Sequence, residues 1–157
     1  MPKPTPKLHY ITELYEINEE LIPLKALADR ERAAIYGLTG MIYTPYIDDY
    51  MQVSIRKAAI LSCLKRQGIL ELTEVELTSS LLNALHNRVK NNTIVEYDGC
   101  SYQRRFAPLK LSKSGKVVQK WAKFWLLLSS NGKVDPKWES QVREIWPSYF
   151  LIRTVDL

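Results

Sequence analysis

The sequence predicts a mainly α fold with one small β-hairpin near its middle. Apolar residues recur at spacings of three and four along much of the chain, the period of a helix with one buried face. One β-branched stretch, Thr93-Ile94-Val95-Glu96-Tyr97, runs into Asp98-Gly99, a two-residue hairpin turn signal. Helix-start residues stand ahead of several of the periodic stretches. A chain of 157 residues, 46% hydrophobic and 25% charged, is about one domain and can bury a real core. We expect a flexible arm over residues 1–10 and a single domain over 11–157. Within it, N-terminal helices take 11–53, a central core 54–129, and a C-terminal helix and tail 130–157.

Pro2, Pro4 and Pro6 alternate in the arm. Thr12 is placed to cap a first helix whose face is Leu14, Ile17 and Leu21. Pro23 suits the first turn of a second helix, ending near Gly37, with Leu24, Leu27, Ala28, Ala34, Ile35 and Leu38 available for burial. The aromatic stretch Met41–Tyr50 reads either as a loop or as the lead-in to the next helix. That helix is expected from Ser54 to Gln67, with Ile55, Ala59, Ile60 and Leu64 inward, Cys63 packed as a small apolar residue, and Gly68 ending it.

Thr73-Glu74-Val75-Glu76 is a capping box: the threonine hydroxyl can accept from the third helical amide while Glu76 reaches back to the cap amide. Helical character then persists to Asn92, as one helix or as two meeting near Ser79-Ser80. Its expected buried face is Leu77, Leu81, Leu85 and Val89, and Asn83, His86, Asn87, Arg88 and Lys90 lie on the polar side. After the hairpin turn, Cys100–Arg105 should return antiparallel, with Pro108 limiting the strand. Leu109–Leu111 can re-pair before Ser112 caps another helix over Lys113–Ser129. Val117, Val118, Trp121, Phe124, Trp125 and Leu128 give that helix a broad apolar stripe, beside a row of Lys113, Lys116, Lys120 and Lys123. Asn131-Gly132 reads as a turn. Asp135-Pro136 opens a last helix to Trp146, with Trp138, Val142 and Ile145 inward, and Tyr149–Val155 reads as a final strand.

The net charge of +5 is unevenly spread. Residues 1–50 carry 5 basic and 8 acidic groups, whereas residues 101–157 carry 11 and 4. From Ser101 to Lys123 there are 7 basic groups and no acid, which points to a polyanionic partner. No apolar stretch is long enough for a membrane span, and the first residues lack a secretory pattern. Two cysteines are too few for a disulfide framework or a thiolate zinc site, so a reducing, cytoplasmic setting is expected. Catalytic and metal sites are not expected, nor a cofactor. His9 and His86 are the only histidines, there is no glycine-rich phosphate loop, and Asp48-Asp49 is an isolated acidic pair.

The run from Thr93 to Trp125 resembles the wing of winged-helix regulators of the MarR and PadR kind. Val95-Glu96 matches the strand after the recognition helix, Arg104-Arg105 the basic wing, and Leu111-Ser112-Lys113-Ser114-Gly115 the joint to a long helix. The resemblance spans roughly residues 55–128. It implies a winged helix-turn-helix core with extra terminal helices, and a double-stranded DNA-binding transcriptional regulator that acts as a homodimer. Asn83, Asn87 and Arg88 would read bases in the major groove, since asparagine bonds bidentately to adenine and arginine to guanine. His86 and Lys90 would add phosphate or base contacts. Arg104 and Arg105 would enter the minor groove, while Tyr102, Gln103 and Lys110 would touch sugar and phosphate. Trp121, Phe124, Trp125 and Leu128 would serve as core or dimer interface. The alternative is a winged-helix protein-binding module, such as an adaptor or a phage- or plasmid-encoded inhibitor of a nucleic-acid-binding protein.

Overall fold

The computed structural model describes residues 8–38 and 42–152, so most of the expected arm and the end of the expected final strand lie outside the described residues. The fold is mixed α/β: four helices and a three-stranded antiparallel sheet. The chain divides into two compact units, residues 1–71 and 72–157. The division falls inside the stretch 54–129 that the sequence groups as one core.

The first unit is a helical hairpin of α1 (Ile11–Ile35) and α2 (Pro45–Arg66). Ile17, Val53, Ile60 and Leu64 form its buried centre. The helices run antiparallel, because Gln67 after α2 donates to the His9 carbonyl at 3.0 Å while Glu31 late in α1 meets the start of α2. Glu31 accepts from the backbone N–H groups of Tyr46 (3.3 Å) and Ile47 (3.0 Å), placing a carboxylate where the helix dipole favours it. Three sequence expectations need correction here. α1 is continuous through Pro23, which lies on an exposed side together with Glu19, whose carbonyl loses its helical partner and can be solvated. Glu13, not Thr12, serves the helix start, accepting from Tyr10 N–H at 3.0 Å. Ser54 lies inside α2, donating to the Tyr50 carbonyl at 2.8 Å, and the 45–50 stretch is the first part of that helix. Of the apolar set expected to bury between Leu24 and Leu38, Ala28 is the fully buried one.

The second unit follows the order α3 (Glu74–Leu85), β1 (Ile94–Tyr97), β2 (Cys100–Leu111), β3 (Val118–Leu128), α4 (Pro136–Ile145) and a 3-10 turn at Pro147–Phe150. The capping box forms as expected: Glu76 N–H donates to Thr73 Oγ1 at 3.2 Å, and Thr73 N–H donates to Glu76 Oε1 at 3.1 Å. α3 ends at Leu85, and its buried face is Val75, Thr78, Ser79 and Leu82. The expected face is instead turned outward, with Leu77, Leu81 and Leu85 each about half exposed or more. Asp98 (φ 50°) and Gly99 (φ 77°) make the β1–β2 turn, both positions needing the left-handed region.

The largest correction concerns residues 113–129. They form a hairpin loop and strand β3, not a helix. Ser112 does use its cap chemistry, but to close a turn: its hydroxyl accepts from Val117 N–H (3.3 Å), beside backbone bonds from Gly115 N–H to the Ser112 carbonyl (2.9 Å) and from Ser112 N–H to the Val117 carbonyl (2.8 Å). The two long strands β2 and β3 pair from Ser101↔Leu128 to Leu111↔Val118, with register shifts after Pro108 and Lys110 that let β2 pass the proline. Trp121, Phe124, Trp125 and Leu128 therefore belong to a sheet, and a long dimerisation helix is absent from this stretch. The α4 reading holds: Asp135 accepts from Trp138 N–H at 2.9 Å, and Trp138 and Val142 are buried. Tyr149 and Phe150 sit in the 3-10 turn where a strand was expected.

The two faces of α3 give a direct stability contrast. Leu82→Ala should cost about 2–5 kcal/mol, whereas Leu81→Ala should change stability by about 0.5 kcal/mol or less. Urea midpoints of the two variants check this.

Candidate nucleic-acid interface

The sheet is covered at its inner end and more open beyond Phe106, although Ala107, Pro108 and Ala122 are still buried there. Residues directly opposite in an antiparallel ladder share a face. One face therefore carries the pairs Tyr102/Leu127, Arg104/Trp125, Phe106/Lys123 and Pro108/Trp121 in order. α3 covers the Arg104/Trp125 position. Asn83 Oδ1 accepts from the Arg104 guanidinium at 2.8 Å and from Trp125 Nε1 at 2.9 Å, while the Arg104 guanidinium lies 4.8 Å from the centre of the Trp125 ring. Trp125 is fully buried and Arg104 is 5% exposed. Burial lowers the Arg104 pKa from its ordinary value.

This cluster removes two expected DNA contacts. Asn83 is spent on Arg104 and Trp125, and Arg104 is too buried to enter a groove. The reason is physical: a buried guanidinium must have acceptors, and Asn83 supplies one from the helix above. Tyr102 is also buried, packed 5.5 Å from Trp138. Burial first, then neighbouring Cys100, pushes its hydroxyl from 10.0 up to about 12. His86 ends α3 with its ring against Trp125.

Arg105, one residue on from Arg104, faces the opposite side of the sheet. It donates to Gln103 Oε1 at 3.2 Å and lines a groove of about 420 Å³ with Phe124, Arg143, Tyr149 and Phe150. Asn87, Arg88 and Lys90 are exposed on the loop after α3. That loop is tied to the β2 edge: Asn92 N–H donates to the Arg104 carbonyl (2.7 Å), Arg104 N–H to the Thr93 carbonyl (2.8 Å), and Phe106 N–H to Asn91 Oδ1 (3.0 Å). Arg88 and Lys90 are thus carried beside the middle of β2.

Beyond Phe106 the ribbon changes character. Lys110, Lys113, Lys116, Lys120 and Lys123 are all exposed, and no acid occurs from Ser101 to Val134. Among the described residues, none of the five lysines sits within ion-pair distance of a carboxylate. Lys110 and Lys120 stand directly opposite each other in the ladder. Trp121 is 45% exposed. Of the expected contacts, the ribbon holds only Lys110; its other lysines and Trp121 are the part that the helical reading of 113–129 missed. Their common signal was the acid-free run itself, longer than any one helix face requires. No protein-family model, curated protein or solved structure matches this chain.

Two outcomes are expected. Asn83→Ala should cost about 1–3 kcal/mol, because it removes an acceptor from the Arg104 guanidinium at a position that water can partly refill. Asn83→Asp, which keeps the acceptor, should retain most of the stability at neutral pH; chemical denaturation compares them. At alkaline pH the unfolded chain ionises Tyr102 near its ordinary value while the folded chain holds the proton to about 12. The stability is therefore fully present below pH 10.0 and is lost as the pH rises towards 12. Tyr102→Phe should flatten that alkaline limb in denaturation curves taken across the range.

Proposed function

We propose that this protein binds nucleic acid, holding the phosphate backbone with the lysines of the β2–β3 ribbon. The observation that carries the reading is the Lys110–Lys120 pair. Like charges paired across a ladder destabilise it, and within the second unit no carboxylate among the described residues lies within ion-pair distance of these two, which pair between two register shifts. A polyanion that wraps the narrow ribbon supplies counter-charge to the lysines on its two faces and in its loop. Arg88 and Lys90, held at the β2 edge, extend the same basic region.

The finer form of this reading is a winged-helix, double-stranded DNA-binding regulator. The order of α3, β1 and β2 supports it, and a two-stranded ribbon fits a major groove. In that form the β2–β3 ribbon acts as the wing, in place of the β1–β2 turn, and Asn87, Arg88 and Lys90 are the polar groups left to read or clamp. A second reading, protein binding or self-association, is favoured by one observation: the exposed row Leu77, Leu81 and Leu85 on α3.

The test is fluorescence anisotropy with labelled oligonucleotides. If about six phosphates are neutralised, affinity should fall by roughly three decades between about 50 and 200 mM salt. Lys110→Ala with Lys120→Ala should weaken binding to every sequence and reduce the salt slope by about two. The same double variant should gain a few tenths of a kcal/mol in stability, roughly, because the repulsion is gone. Absence of binding at low salt rejects the proposal.

A further inference from the structure

We infer that the exposed sheet face around Trp121 is a stacking platform for an unpaired base, so that the nucleic acid held by the ribbon is single-stranded there. The inference rests on the general nucleic-acid reading above, names its substrate class, and stands in place of the double-stranded form of that reading. Of the four tryptophans, Trp125 and Trp138 are buried and Trp146 is half-buried, whereas Trp121 presents its indole from the middle of β3. Its neighbours on the same face are Phe106, with ring centres 6.4 Å apart and planes tilted by 44°, and Lys123, whose ammonium lies 5.2 Å from the Phe106 ring centre. α3 closes the face at Arg104/Trp125 and Pro108, opposite Trp121, is fully buried, so the free platform is the Trp121 indole itself with Phe106 at its side, a place for one base.

A duplex covers the flat faces of its bases with their neighbours. An aromatic side chain can enter it only as a wedge, and wedges project. The ribbon's projecting end, Ser112–Val117, contains no aromatic residue. A single strand splays its bases, and a sheet-borne aromatic ring offers each a flat partner while nearby lysines take the phosphates. On this face an exposed indole, a second ring beside it and the Lys123 ammonium match that ligand, while Lys110 and Lys120 lie on the other side of the same narrow ribbon, with no acid between.

The experiment compares labelled oligo-dT with an oligo-dA·oligo-dT duplex of the same length at low salt, using the full chain. The single strand should bind about tenfold tighter or more. Unlabelled oligo-dT should quench the tryptophan emission of the wild-type protein. Trp121→Ala should weaken single-strand binding about tenfold with the salt slope unchanged, and Trp121→Phe should keep part of the affinity. Equal or tighter duplex binding overturns the inference, as does a wild-type emission that oligo-dT leaves unquenched. The quenching measurement decides even if Trp121→Ala fails to fold. Lysine-dependent binding to both forms with a silent Trp121→Ala overturns stacking alone, whereas no binding to either form removes the ribbon reading with it.

Discussion

The second unit depends on a single side-chain amide. Asn83 accepts from both the Arg104 guanidinium and the Trp125 indole, and so joins α3 to the centre of the sheet. A cation in that position would ordinarily be expelled or matched by a carboxylate. Here the neutral oxygen of Asn83 and the face of the Trp125 ring share the task. Among the described residues, Arg104 Nε and Ser79 Oγ are buried without a hydrogen-bond partner, so the site is less than fully satisfied. The arrangement fixes where the helix stops protecting the sheet, and hence where a surface begins.

Local chemistry was legible in the sequence wherever it needs only a few adjacent residues. The Thr73/Glu76 box, the Asp98-Gly99 turn and the Asp135 cap each satisfy backbone groups within one turn, and all three form. Residues 113–129 were not legible for a reason of packing. The inner half of β3 is apolar on both parities, because Phe124 and Leu126 face one covered side while Trp125 and Leu127 face the other. A strand buried on both faces loses its alternation and becomes a continuous run that a helical period also fits. Ser112 and Gly115 then fit a helix start as readily as the hairpin loop they make. On α3 the leucines at spacing four outnumbered the buried set, and Val75 with Leu82 was the face that packs.

The placement of charge follows from the same division of the sheet. Where helices cover it, the chain spends its only two cationic residues there on internal partners: Arg104 on Asn83, Arg105 on Gln103. Where it is bare, the chain keeps five lysines and spends none on an ion pair among the described residues. Lysine suits such a stretch because its strongly hydrated head resists burial and its flexible stem can follow a backbone of irregular shape. A ladder that keeps Lys110 opposite Lys120 is less stable than one with a glutamate in either place. Among the described residues of the second unit, no ion pair offsets that repulsion.

One motif is used twice along the face that α3 partly covers. Arg104 over Trp125 and Lys123 over Phe106 are both cations set against aromatic rings, in successive pairs on the same face, two register steps apart. In composition they are equivalent, and neither spacing nor propensity ranks one as core and the other as surface. What separates them is the length of α3. Because the helix ends at Leu85, the first pair is roofed and becomes the structural centre, while Phe106, Lys123 and Trp121 are left open beside the ribbon's lysines. The same cation–aromatic chemistry is thus buried in the core at Arg104 and Trp125 and left at the surface at Lys123 and Phe106.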